Sequence, residues 1–250
     1  MLIDQDKCTG CKKCVVFCPV DAIIHVRRDR ERDIRAHALI DKEKCVECGV
    51  CYRAGVCTSN GITREELSYP RVLRQLFSDP WFSHPGTDIP GRGTEEMKTN
   101  EVTGRYQDGY IGLGLEFGRP GLGCRLKETE VALKKLLPLG FMLEPKNPLT
   151  QLLADPQTGE LKPEVREEKV LSAIVEGLVP LEKAGPIFEA IKEVAAEIDT
   201  IFSLDVIGKV APDGTIPVRD AMSAGGLTPS INGKTNVGLG RPLFEDSREG

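Results

Sequence analysis

The chain carries nine cysteines in 250 residues, and eight of them fall between residues 8 and 57. The first four lie in "CTGCKKCVVFCP" (8–19), with the spacing C-x2-C-x2-C-x3-C-P. The next four, at 45–57, follow C-x2-C-x2-C-x5-C, and Cys124 stands alone. Thiols this close together serve disulfide bonds, zinc ions or iron–sulfur clusters, and each use predicts a different kind of protein.

The start of the chain argues against disulfide bonds. Its first residues, "MLIDQDKC", carry acids and a lysine and do not resemble a signal peptide. No apolar run approaches the roughly 20 residues that a membrane-crossing helix needs. We therefore expect a soluble, cytoplasmic protein in a reducing compartment, where structural disulfides are rare.

The spacing of the cysteines separates the two metal hypotheses. Zinc sites usually use two C-x2-C pairs that lie well apart, because each pair supplies half of a tetrahedron. Three cysteines at successive x2 spacings suit a [4Fe–4S] cube better, since one tight loop can direct three thiolates at three irons. The fourth iron then needs a more distant cysteine. The pattern favours two iron–sulfur clusters, with zinc or a single cluster as the alternatives.

The longer stretch "CTGCKKCVVFCPVDAI" (8–23) resembles the bacterial-type ferredoxins that hold two [4Fe–4S] clusters. The likeness lies in the cysteines, in the proline after the fourth one and in the tail "VDAI", and it covers residues 1–62. In that family the last cysteine of each run binds the cluster of the other run. The resemblance thus implies that cluster I is held by Cys8, Cys11, Cys14 and Cys57, and cluster II by Cys45, Cys48, Cys51 and Cys18.

The second run departs from the family pattern in two ways. Five residues, "YRAGV", precede Cys57 where the family usually has three, and Thr58 replaces the expected proline. Gly55 can supply a turn that loops out the two extra residues. Between the runs, residues 22–41 alternate apolar and polar positions around a charged centre, which predicts a β-hairpin.

Composition excludes several classes of partner. The formal net charge is −5 and aromatic residues make up 5% of the chain. An acidic chain has no electrostatic reason to bind nucleic acid or an anionic membrane, and few aromatic residues are present to stack on bases. We expect neither nucleic acid nor membrane as a partner.

The remaining three-quarters of the chain predict an α+β domain. From residue 109 onward, strand-like and helix-like segments alternate in the order β-α-β-β-α-β, which is the order of the ferredoxin-like sandwich. That fold is distinct from the cluster domain. The predicted segments are a strand at 109–118, a helix at 126–137, strands at 140–145 and 169–179, a helix at 181–199 and a strand at 200–210.

Two irregular segments flank this domain. Residues 63–106 contain one short predicted helix at 69–77 and then a long polar stretch, and residues 211–250 hold scattered apolar residues without periodicity. Long segments of this kind fit a subunit that wraps a partner. The predicted organisation is a two-cluster ferredoxin domain at 1–62, a partner-wrapping linker at 63–106, the α+β domain at 107–210 and an extended arm at 211–250.

The expected function is electron transfer. With every iron capped by cysteine, such clusters move single electrons and leave no site open for substrate. We predict a non-catalytic subunit of a cytoplasmic oxidoreductase in an oxygen-avoiding metabolism. It would relay electrons between an external carrier and a larger catalytic subunit that bears a flavin or metal cofactor.

Two other interpretations stay open. In the first, the protein is a redox-sensing or ligand-binding regulator whose α+β domain takes a small molecule. The glycines of "GLGLEFGRPGLGCR" (112–125) could cradle an anion, although a loop that closes over its own domain is the favoured interpretation. In the second, the protein is a complete enzyme, but no active site can be located. Cys124 is expected to be a buried or incidental thiol.

Overall fold

Short antiparallel strand pairs build the N-terminal part of the chain. The structure is a computed structural model that describes residues 1–90, 108–119 and 121–229. Strand β1 (Leu2–Ile3) pairs with β4 (Ile62–Thr63), which brings the two ends of this part side by side. Strand β2 (Ile23–Val26) pairs with β3 (His37–Ile40), so the hairpin predicted at 22–41 is confirmed.

Two short helices follow the hairpin. Helix α1 (Val50–Arg53) lies inside the second cysteine run, and α2 (Val72–Ser78) confirms the short helix predicted at 69–77. Leu73 and Phe77 of α2 are buried in the core of the C-terminal part. The beginning of segment 63–106 therefore belongs to a packed core, while residues 91–107 lie outside the described ranges.

The C-terminal part combines helices with a four-stranded sheet, as the α+β prediction required. The four strands of this sheet and the two long helices alternate along the chain, with two strands in succession in the middle. They are β5 (Tyr110–Phe117), α3 (Leu126–Leu136), β7 (Met142–Leu143), β11 (Ala173–Pro180), α4 (Ala184–Glu197) and β12 (Phe202–Ile207). The connection between β7 and β11 carries a small ribbon of β8 (Leu153–Asp155) and β9 (Glu160–Leu161).

The sheet has the strand order β12-β5-β11-β7, and every neighbouring pair is antiparallel. Because side chains alternate across a strand, every second residue of β5 and β11 points toward one face. On that face, Leu113, Leu115 and Val175 are fully buried, and they share one core with Leu133 of α3 and Ile187 of α4. Both long helices thus use their apolar stripe to cover the same face of the sheet.

The prediction of one continuous strand at 169–179 is wrong. The segment is divided into β10 (Lys169–Val170), which pairs with β6 (Cys124–Arg125), and β11, which joins the main sheet. At the division the backbone N–H of Leu171 donates a hydrogen bond to the Ser78 hydroxyl of α2, at 2.9 Å. A side chain from a distant helix thus replaces the strand partner, and the chain changes sheets at that point.

The first part of segment 211–250 is not irregular, contrary to the sequence-based expectation. Residues Pro217–Ala224 form helix α5, which packs against α4 and buries Val218 in the main core. Proline is well suited to the first turn of a helix, and the apolar Val218, Ala221 and Met222 share one face. A helix of two turns repeats its apolar positions too few times for the helical period to be recognised in the sequence. Residues 230–250 of the predicted arm lie outside the described ranges.

Among the residues that the structure describes, none of the helices combines the length and the apolar character that crossing a bilayer requires.

Cys124 is a buried thiol, as expected. It lies in β6 with 2% of its surface exposed, and burial raises its pKa to about 12. Because only the thiolate attacks alkylating reagents, we expect iodoacetamide to modify native Cys124 more than about 100-fold more slowly than the unfolded chain. Mass spectrometry of the Cys124 peptide, with and without denaturant, measures both rates. Equal rates would contradict the burial described here.

Candidate metal centre

The first three cysteines lie on the loop that leads from β1 to a single 3-10 turn, Val15–Phe17. Gly10 lets this loop lie directly on the hairpin. Its φ is +68°, and a Cβ added there would come within 2.5 Å of the Ala36 backbone. The Gly10 carbonyl also lies 3.1 Å from Nε2 of His25 on β2. The loop is therefore held in shape by the hairpin that separates the two cysteine runs.

Thiols from both cysteine runs influence Cys14 in this first loop. Burial raises the pKa of Cys14, and the nearby thiols of Cys11, Cys8 and Cys57 raise it further. Charge repulsion of this kind acts between close neighbours. Cys57, the last cysteine of the second run, is among the thiols that act on Cys14. We call Cys8, Cys11, Cys14 and Cys57 the first thiol set.

The chain reaches Cys57 by a turn at Gly55. Its φ is +62°, and a Cβ at this position would meet nothing within 4 Å. The Gly55 N–H donates to the carbonyl of Tyr52, so the turn directly follows α1. The five-residue spacing before Cys57 is accommodated by this left-handed residue, as the sequence suggested.

The remaining four thiols line one cavity. The cavity volume is about 20 Å³, and its wall also includes Ala22, Ile23, Ile40 and Val46. Burial raises the pKa of Cys51 to about 12 and that of Cys45 to about 11. The thiols of Cys48, Cys45 and Cys18, together with that of Cys14 in the first loop, raise the pKa of Cys51 further. We call Cys45, Cys48, Cys51 and Cys18 the second thiol set.

Backbone N–H groups point at several of these sulfurs. The N–H of Ala22 donates to Sγ of Cys18 at 3.1 Å, and the N–H of Ala38 donates to Sγ of Cys8 at 3.3 Å. Burial alone would raise the pKa of Cys57, but hydrogen bonds from Ser59 and from the backbone, including the Gly61 N–H at 3.2 Å, together lower it. Such donors stabilise a thiolate, which is the form that binds iron.

The chemistry of the donors fits an iron–sulfur cluster. Within the described part of the chain, no group of three or more histidine, cysteine, aspartate or glutamate side chains is arranged to hold a metal ion. The four thiols of the second set line one cavity, and thiolates are the ligands that hold iron–sulfur clusters. Thiols with raised pKa values release their protons when they bind metal.

The two thiol sets differ in exposure. Cys11 of the first set is exposed, whereas Cys45, Cys48 and Cys51 of the second set are each 8% exposed. Val16, next to the first loop, is 83% exposed and Phe17 is 40% exposed. Cys14 of the first set is also buried, and Cys8, Cys57 and Cys18 are half-buried, so the second set has three buried thiols where the first has one.

Sequence reasoning did not single out Arg74, which joins the second loop to the C-terminal part. This α2 residue is 4% exposed, and its Nη1 lies 2.9 Å from the carbonyl oxygen of Cys45. The same nitrogen approaches the carbonyls of Lys42 and Glu43, and Nε donates to Glu168. No sequence motif marks an arginine that acts over such separations.

The glycine-rich loop after β5 closes on its own domain, as favoured from the sequence. The carbonyl of Gly118 accepts hydrogen bonds from the N–H groups of Leu122 and Gly123, both at 3.1 Å. The Gly118 N–H donates to Ile201 at 2.8 Å. Two of these N–H groups thus donate within the loop and the third donates to the residue before β12, so all three are engaged within the domain.

Comparison with known proteins agrees with the geometry of the N-terminal part. Residues 1–58 match the family described as a 4Fe-4S dicluster domain. No curated protein and no solved structure matches the chain. The N-terminal segment is thus a ferredoxin domain of the dicluster type, and [4Fe–4S] clusters are the cofactors that such a domain implies.

Proposed function

From the 4Fe-4S dicluster domain we propose that the protein relays single electrons through two [4Fe–4S] clusters. The first thiol set holds cluster I, and the second thiol set holds cluster II. The observation that carries this proposal is the position of Cys18 of the first run, which lines one cavity with Cys45, Cys48 and Cys51 of the second run. Crossed ligation of this kind belongs to two-cluster ferredoxins.

Electron transfer follows from the ligands. Four cysteines cap all four irons of a cluster, so no position is open for substrate, and the cluster supplies one-electron chemistry when bound. The chain's own contribution is to hold the thiolates, to donate N–H groups to their sulfurs and to bury cluster II in a partly apolar wall. These features set the potential of a cluster and protect it from water.

We further propose that the protein is the iron–sulfur subunit of a cytoplasmic oxidoreductase in an oxygen-avoiding metabolism. An external carrier would exchange electrons near the exposed Cys11, where Val16 and Phe17 offer apolar surface. A larger catalytic subunit with a flavin or metal cofactor would receive or supply them. Transient electron-transfer contacts are small, so a few exposed apolar residues can serve as one.

The C-terminal part is proposed to be a ferredoxin-like sandwich that attaches the subunit to this partner. The element order strand, helix, strand, strand, helix, strand supports that assignment, as does the antiparallel strand order β12-β5-β11-β7. The proposed limits are 107–210 for this domain, to whose core the flanking segments 63–106 and 211–250 add α2 and α5, and the rest of both segments is proposed to contact the partner. Fold alone leaves the identity of the partner to experiment.

Iron and sulfide analysis of anaerobically purified protein tests the cluster assignment. We expect about eight irons and about eight sulfides per chain. Cys57→Ser and Cys18→Ser should each lower the iron content by about half, because each removes one ligand of one cluster. Cys124→Ser is the matched control and should keep the full content. Zinc in place of iron, or full iron content in both ligand variants, would contradict the proposal.

The same preparation tests the role as a subunit. Mass spectrometry of every co-purifying chain should identify a larger, cofactor-bearing protein in stoichiometric amount. A lone oligomer that holds about eight irons would keep the clusters and overturn the subunit role. It would favour a regulator whose C-terminal domain takes a small ligand, and thermal melting with candidate metabolites would then be the next measurement.

A further inference from the structure

A buried group of charges lies against the loop of the second thiol set. Asp79, which follows α2, is fully buried between two arginines. Its Oδ1 lies 2.5 Å from Nη1 of Arg53, and its Oδ2 lies 2.6 Å from Nη1 of Arg64. The two arginine side chains are 18% and 20% exposed. We call Arg53, Arg64 and Asp79 the charge triad.

The charge triad touches the wall of the cavity. Arg53 donates a hydrogen bond from Nη1 to the carbonyl oxygen of Cys48, at 2.7 Å. Gly49, the next residue, lines the cavity. A Cβ added to Gly49 would lie 2.8 Å from Nη2 of Arg64 and 2.9 Å from Nη1 of Arg53. Both guanidinium groups therefore lie next to a glycine that lines the cavity.

Aromatic rings hold Arg64 in place. Its guanidinium carbon lies 5.2 Å from the ring centre of Tyr52, 5.3 Å from that of Trp81 and 5.1 Å from that of Phe82. Among the described residues, the buried Nη1 and Nη2 of Arg64 make no well-aligned hydrogen bond, and the ion pair of Nη1 with Oδ2 of Asp79 is their polar contact. Cation–π contacts thus replace water around this charge. A cation that is shielded from water acts more strongly on its neighbours than an exposed one.

The sum of nearby charges is positive. Two guanidinium groups against one carboxylate leave a net charge of about +1 beside the second set. Glu47, the acidic residue near Cys45, does not cancel it, because Glu47 is paired with Arg71 at 2.6 Å and with the ammonium group of Met1. The charges near the first set, including Lys12 and Lys13, are exposed and screened by water and salt.

We propose that the charge triad raises the reduction potential of cluster II, with Asp79 as the residue that positions Arg53 and Arg64. The inference rests on the proposed function, since it requires both clusters. Reduction adds one electron and takes a cluster from about −2 to about −3, so a fixed cation nearby favours the reduced form. An electron that enters at the exposed cluster I is therefore drawn inward to cluster II.

Redox titration of the anaerobic holoprotein, monitored by electron paramagnetic resonance, tests this proposal. We expect Arg64→Gln to lower the potential of the higher-potential cluster so that its oxidised-to-reduced ratio rises about tenfold, a shift of about 59 mV for one electron. The other cluster should move much less. Arg64→Lys keeps the charge and should restore most of the potential. Arg32→Gln, which removes a 79% exposed arginine from the hairpin, is the control and should change neither cluster.

Three outcomes would overturn the inference. They are an unchanged potential in Arg64→Gln, an equal loss in Arg64→Lys, and a shift confined to the lower-potential cluster. The wild-type protein gives an independent test should a variant lose its clusters. Buried charges are screened little, so the gap between the two potentials should persist at high salt, and a gap that vanishes would assign it to exposed lysines instead. Iron content measured beforehand separates these results from failure of the two-cluster assignment.

Discussion

Replacing Arg74 with alanine is expected to lower the free energy of unfolding by about 3–5 kcal/mol. The guanidinium is 4% exposed, binds Glu168 and lies 2.9 to 3.1 Å from three backbone carbonyls of residues 42–45. Its removal leaves Glu168, whose side chain is 13% exposed, without this cation and leaves the carbonyls without this donor. An unpaired buried charge is costly because the protein interior solvates it poorly.

Anaerobic thermal melting measures this effect through two signals. Visible absorbance reports the clusters, and far-ultraviolet circular dichroism reports the helices. Since Arg74 connects both parts of the chain, both signals should shift to lower temperature together. Lys127→Ala is the matched control, because its ion pair with Glu167 is exposed and is worth about 0–1 kcal/mol. An Arg74→Ala protein that melts like this control would contradict the role described for Arg74.

The second large effect is expected at Gly49. In Gly49→Ala the new Cβ would lie 2.5 Å from Oδ2 of Asp79, with both guanidinium groups within 2.9 Å. The residue has a φ of +68°, which costs an alanine about 1–2 kcal/mol even without a clash. Buried charges in an ion pair cannot give way easily, so the loop of Cys48 and Cys51 must move. We expect the protein to lose cluster II and about half of its iron.

Gly55→Ala separates backbone strain from the clash. Gly55 also has a positive φ, of +62°, but nothing lies within 4 Å of its added Cβ. In this control the free energy of unfolding should fall only by the conformational cost of about 1–2 kcal/mol, and the iron content should stay complete. Iron and sulfide analysis of the two variants, side by side, makes the comparison. Equal iron content in both would show that the charge triad tolerates the extra methyl group.

The sequence predicts features that depend on neighbours along the chain. Cysteine spacing indicates the cluster domain because the ligands of one loop are close in sequence. The hairpin at 22–41 and the helices α3 and α4 follow from periodicity over many residues. Each of these patterns is repeated often enough within one segment to be recognised.

Features that depend on distant contacts could not be predicted. Asp79 and Arg53 are 26 residues apart, and nothing in "FSDPWF" indicates that this carboxylate is buried beside a cysteine loop. The division between β10 and β11 depends on the hydroxyl of Ser78, 93 residues before Leu171. Helix α5 spans two turns and depends on packing against α4. In each case tertiary contacts decide the local structure.

Because the two thiol sets differ in exposure, the protein with its proposed clusters bound should have one cluster near solvent and one shielded from it. Cys11 meets solvent, while Cys45, Cys48 and Cys51 lie behind protein. Dissolved oxidants should therefore reach the cluster at Cys11 far more readily than the cluster at Cys45, Cys48 and Cys51. Damage by air should begin at cluster I, and cluster II should be the last to lose its electron.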